Sequence, residues 1–100
     1  MPRRTKLTDR TKEDIVKALK AGNSRRDSAL YAGISEATFY SWMARGREGE
    51  PLYAEFLEAV EKAEAQSVVR NVAIIQRAAE ETWQAAAWWL ERKRPDDWGR

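Results

Sequence analysis

The segment Asn23 to Arg47, NSRRDSALYAGISEATFYSWMARGR, constrains this chain more than any other. It reads as two short helices around a tight turn at Gly33. Ala29, Ala32 and Ile34 keep the first helix and the turn slim and apolar, with Ala29 where the two helices cross closely. Gly33 suits a turn that needs positive φ, which a Cβ would resist. Ser35 is placed to N-cap the second helix by accepting from the backbone N–H of Ala37 or Thr38. Phe39, Trp42 and Met43 recur at i, i+3 and i+4 and share one face. Glu36, Ala37, Tyr40, Ser41 and Arg45 fall on the opposite face. This is the layout of a helix-turn-helix, whose second helix enters the DNA major groove. The competing reading is an ordinary helical hairpin that buries its apolar face and touches nothing.

Charge supports the first reading. Residues 1–47 hold eleven Lys/Arg against five Asp/Glu, a balance of +6, whereas residues 48–100 hold seven against eleven, a balance of −4. A basic half followed by an acidic half suggests two jobs, with only the first meeting phosphates. The candidate DNA contacts are Arg25, Arg26, Ser35, Glu36, Ala37, Tyr40, Ser41, Arg45 and Arg47. Arg25 and Arg26, near the start of the first helix of the motif, are expected on phosphates, where contacts position the protein. Tyr40, Ser41 and Arg45 are expected to reach base edges or nearby backbone. Glu36 could accept from a cytosine amino group or serve to reject wrong sites.

In chain order, residues 1–7 read as a basic arm with Arg3, Arg4 and Lys6. A first helix starts at Thr8 or Thr11, carries the stripe Ile15, Val16, Leu19, and ends at Gly22. Packed beneath the motif, it completes a three-helix unit, with Lys12, Lys17 and Lys20 as a solvated face or backbone contacts. Gly46, Gly49 and Pro51 read as a hinge or linker. A helix of roughly 40 Å follows, from Leu52 to about Ala79. Its stripe runs through Tyr53, Phe56, Leu57, Val60 and Ala63, then Val68, Val69, Val72, Ile75 and Ala79. The pattern falters at Glu80, Glu81 and Thr82. A last helix, Trp83 to about Lys93, is apolar over much of its circumference, so burial on several sides is expected. It should fold back on the long helix as a hairpin, with Ala85, Ala86 and Ala87 permitting close approach, Pro95 ending it and Trp98 covering the open end.

The stripe exceeds the cover that one chain offers, which predicts a closed homo-oligomer. Its contacts are expected from Tyr53, Phe56, Leu57, Val60, Val68, Val72, Ile75, Trp83, Trp88 and Trp89. The expected architecture is therefore all-α, with a DNA-binding domain at 1–47 and an oligomerisation domain at 48–100. Nothing points to catalysis. There is no histidine or cysteine, no Gly-rich phosphate loop, no nucleophile with a base and no metal-ligand cluster. No cofactor or metal is expected. The longest apolar run, Ala85 to Leu90, is too short to span a bilayer, and the N-terminus has no apolar signal core.

The segment AGISEATFYSWMARGR, the acidic helix EPLYAEFLEAVEKAEA and the ending AAAWWLERKRPDDWGR together resemble small terminase subunits of tailed bacteriophages, over nearly the whole chain. The resemblance implies a non-catalytic DNA-packaging factor in the host cytoplasm, with double-stranded DNA, further copies of itself in a ring, and the large terminase subunit as partners. It places DNA contact on the face of Glu36, Ala37, Tyr40, Ser41 and Arg45, and assembly on Tyr53 through Leu90. Many members carry a further segment that engages the large subunit or the portal; this sequence ends at Arg100. Two other readings share the same N-terminal unit. One is a dimeric transcriptional regulator or transposon-associated DNA-binding protein. The other is an assembly scaffold with a vestigial helix-turn-helix.

Overall fold

The computed structural model describes residues 6–93. The regular elements there are all α-helices: α1 (Asp9–Lys20), α2 (Arg25–Tyr31), α3 (Glu36–Arg47), α4 (Pro51–Ala79) and α5 (Trp83–Lys93). Expectations for Arg3, Arg4, Pro95 and Trp98, and for the side chains of Ala85 and Ala86, fall outside the described residues.

Local chemistry sets the ends of the first three helices. Thr8, Ser24 and Ser35 each accept from the backbone N–H three residues on, at 3.1, 3.0 and 3.0 Å. A cap of this kind is worth about 1 kcal/mol. The C-terminal ends share a single device. After α2, the Gly33 N–H donates to the Leu30 carbonyl and the Ile34 N–H to the Ala29 carbonyl, both at 3.0 Å. Gly33 sits at φ +89°, the left-handed conformation that closes this pair of bonds. The same bonding pattern follows α1 and α3.

The pair that brackets this motif differs each time. After α2 it is apolar, Ala29 with Ile34, and both are buried. After α3 it is ionic, Arg45 with Glu50, at 2.8 Å. That corner is therefore a short clamped turn and not the expected hinge. Gly46 lies buried within the last turn of α3, and a Cβ there would collide with the Tyr53 carbonyl oxygen. Pro51 opens α4 at the first helical position, where its missing N–H costs nothing.

The chain divides into two compact units, Met1–Ser67 and Val68–Arg100. In the first, Ile15 and Leu19 of α1, Ala29 of α2, and Phe39, Trp42 and Met43 of α3 meet Phe56, Val60 and Ala63 of α4. Phe56 is the hub. Its ring lies edge-on to Phe39 at 5.6 Å and to Trp42 at 5.5 Å, a favourable aromatic geometry.

This arrangement corrects the expected boundary at residue 47. Phe56 and Val60 are fully buried inside the first unit, and Tyr53 and Leu57 pack partly against the same core. Phe56 and Val60 are spent within the chain and are not available for contacts between chains, and Tyr53 and Leu57 are partly committed there. An apolar stripe shows that a helix buries one face, but not against which surface.

The second unit holds the rest of α4, a turn at residues 80–82, and α5. Backbone N–H groups of Glu81 and Thr82 donate to the Ala78 carbonyl at 2.9 and 3.0 Å. Trp89 and Leu90 then line a shallow cleft together with Gln76, Ala79 and Glu80. The burial expected of α5 is not met within the chain. Trp83 is 76 % exposed and Trp88 43 %, with Arg92 stacked over the Trp88 ring at 4.7 Å. Val68, Val69 and Ile74 are exposed as well, while Val72 and Ile75 are half-buried. Among the described residues no helix is long and apolar enough to cross a membrane.

Candidate nucleic-acid interface

The α2–α3 corner is fixed by its turn and by the burial of Ala29, Ile34, Phe39, Trp42 and Met43. With that face committed inward, the opposite face of α3 looks outward. Glu36, Ala37, Tyr40, Ser41, Arg45 and Arg47 are all exposed, as the periodicity predicts. The Ser35 hydroxyl is already engaged, accepting from the Thr38 N–H and pairing with its hydroxyl, both at 3.0 Å. Its part is to begin the helix. Glu36 sits in the first turn, where the helix dipole favours a carboxylate.

The cations are arranged differently from the expectation. Arg25 is not a free phosphate ligand. Its Nε and Nη2 donate to both oxygens of Glu64 on α4, at 2.6 and 2.8 Å. Both side chains are about 30 % exposed, at 28 and 33 %. Hydrogen bonding to Glu64 raises the pKa of Arg25 above an already high value, against the opposing pull of burial, so the group is a permanent cation. The guanidinium also lies 5.8 Å from the ring centres of Phe39 and Tyr40.

Arg45 is engaged too. It makes bonds of 2.8 to 3.2 Å to Glu50 and stacks 4.1 Å above the Tyr53 ring. The Arg45 bond holds the Glu50 carboxyl below the usual carboxylate range. Arg26 approaches Glu36 at 4.0 Å, the outer edge of an ion pair, and stays 66 % exposed. Arg47, Lys6, Lys17 and Lys20 are exposed, with no carboxylate partner among the described residues.

These pairings dissolve the charge asymmetry read from the sequence. Within residues 1–67, twelve Lys/Arg face eleven Asp/Glu, a balance of +1. The acids of α4 fold onto the basic half, with Glu64 on Arg25 and Glu55 4.0 Å from Lys12. Sequence reasoning missed Glu64 altogether, because nothing local marks a partner 39 residues away. It also missed Leu30 and Tyr31, which α2 leaves 52 and 59 % exposed. Their signal was available, since they lie off the stripe that Ala29 begins.

Chemically, the outward face of α3 offers an aromatic hydroxyl, an aliphatic hydroxyl and a carboxylate acceptor, flanked by Arg26 and Arg47. Such groups read base edges, with cations suited to the neighbouring phosphates. Comparisons of the chain with protein-family models, with curated proteins and with solved structures return no significant match.

Proposed function

We propose that this chain is a non-catalytic double-stranded DNA-binding protein that reads its site with α3 and works as a homo-oligomer. Its role on this reading is that of a small terminase subunit, selecting viral DNA and presenting it to the large terminase subunit. One observation carries the proposal. The same chain combines a solvent-facing polar face on a rigid α2–α3 corner with an unburied apolar surface in its second unit. Hydroxyls and a carboxylate flanked by Arg26 and Arg47 suit a duplex, and exposed apolar surface marks a site of association. Single helix-turn-helix units bind weakly, and several carried on one assembly bind together far more tightly.

The test joins two measurements on the full chain. Selection from a random-sequence duplex pool should recover a preferred site, and light scattering should give more than two subunits at micromolar concentration. A dimer with a preferred site favours the regulator. An oligomer that recovers no site leaves an assembly scaffold.

A further inference from the structure

We infer that Glu64 and Arg25 are positioning residues for Tyr40, so that α4 governs how well the α3 face discriminates between DNA sequences. This rests on the DNA-binding reading above.

Tyr40 projects from the middle of the outward face of α3 and is 42 % exposed. A tyrosine at such a place has two soft torsions and, left alone, would sample several positions. Here it is held from two sides. The buried Phe39 ring meets it edge-on at 5.3 Å with an interplanar angle of 80°. The Arg25 guanidinium lies 5.8 Å from its centre. Arg25 in turn cannot wander, because its planar fork matches both oxygens of Glu64. The chain of contact therefore runs from a carboxylate on α4, through a cation at the start of α2, to an aromatic on α3. All three lie in the first compact unit.

The arrangement has two consequences for binding. A ring held in one place reads a base edge without first losing its freedom, which favours the matching sequence over others. The charge of Arg25 is meanwhile spent on Glu64 and withheld from phosphates, which carry no sequence information. Both effects raise discrimination, and both depend on a carboxylate outside the α2–α3 corner.

The experiment uses the full chain, the duplex that the wild-type protein recovers from a random pool, and a scrambled duplex of equal length and composition. Glu64→Gln keeps the size of the side chain and removes its charge. Affinity for the scrambled duplex should rise about fivefold, and preference for the selected duplex should fall about fivefold. The slope of log affinity against log salt should steepen by about 0.9, as Arg25 becomes free to meet one phosphate. Arg25→Lys keeps a charge beside Glu64 but loses the planar fork that fixes the cation near Tyr40, so preference should fall with the salt slope unchanged.

A folded Glu64→Gln with wild-type preference and slope overturns the inference. Should that variant fail to fold, wild-type preference in Arg25→Lys overturns it instead. A wild-type protein with no preference between the two duplexes sinks the DNA reading itself, and this inference with it. Silent variants beside a discriminating wild type leave that reading intact.

Discussion

Arg25, the first residue of α2, is tied to Glu64 of α4 by a two-point ion pair at 2.6 and 2.8 Å. The bond joins the start of the helix-turn-helix to a helix 39 residues further on. Its energetic worth lies between two limits. Fully exposed pairs contribute about 0–1 kcal/mol, whereas breaking a buried pair costs about 3–5 kcal/mol. At roughly one-third exposure, Arg25→Ala should cost about 1–2 kcal/mol in urea unfolding. Because the charge is already engaged, the same variant should leave the salt slope of DNA binding unaltered. Arg47→Ala removes an exposed cation without a partner and should lower that slope by about 0.9. Equal slopes lost in the two variants would put Arg25 on phosphate in the complex.

Two glycines of this unit should respond to alanine for different reasons. At Gly33 an added Cβ meets no atom within 4 Å, but the backbone stands at φ +89°. Its cost is conformational, about 1–2 kcal/mol. At Gly46 the helical backbone welcomes alanine, yet the Cβ collides with the Tyr53 carbonyl and comes within 3.0 Å of the Leu57 Cβ. Relief requires α3 and α4 to move apart, at about 1–3 kcal/mol. Gly33→Asn should therefore recover much of the loss at its site, since asparagine tolerates the left-handed region. Gly46→Asn should be worse than Gly46→Ala. Thermal melting of the four variants checks the contrast.

What was legible in the sequence was whatever depends on near neighbours. The two faces of α3, the turn at Gly33 and the caps at Thr8 and Ser35 all follow from residues three or four positions apart. Partner choice was not legible. The stripe Tyr53, Phe56, Leu57, Val60 looked the same whether it was to meet another chain or its own α3. Only the burial of Phe56 between Phe39 and Trp42 decides the matter. The +6 and −4 halves misled for a similar reason, because Glu64 of α4 returns to Arg25 and Glu55 to Lys12.

Acid should loosen the corner between α3 and α4. Bonding to Arg45 lowers the pKa of Glu50 in the folded protein. A depressed folded value contributes stability that is present above the unfolded carboxylate value, about 4.3, and is lost as pH falls through the folded value. Glu50→Gln should lower the neutral plateau slightly, flatten the acid limb below about pH 4.3, and converge with the wild type at low pH. A carbon-detected titration can follow Glu50 directly. Its midpoint should rise toward the ordinary value in Arg45→Ala, and an unmoved midpoint would mean that Arg45 is not its partner in solution.

Folding of the first unit and assembly through the second should separate by mutation. Phe56 is fully buried among Phe39, Trp42 and Val60, and Phe56→Ala should cost about 3–5 kcal/mol. A unit of 67 residues holds a net stability of only about 3–10 kcal/mol. That one change should leave the first unit marginal or unfolded at 37 °C. A fragment ending at residue 47 lacks Phe56, Val60 and Ala63 together and should not fold, whereas one ending at residue 67 should. Val69 and Ile74 present the opposite case, at 69 and 53 % exposure. Within a single chain, replacing both with Asp should shift stability by no more than about 0.5 kcal/mol at each site. Between chains the same carboxylates would be stripped of water without a partner, at several kcal/mol. Sedimentation velocity should then show the wild type as an assembly of more than two subunits and Val69→Asp/Ile74→Asp as a monomer that melts normally. DNA affinity should drop in that monomer because its single unit no longer acts with others, while its preferred sequence stays the same. A wild type that sediments as a monomer, or a double variant that assembles as well as the wild type, removes this surface from the interface.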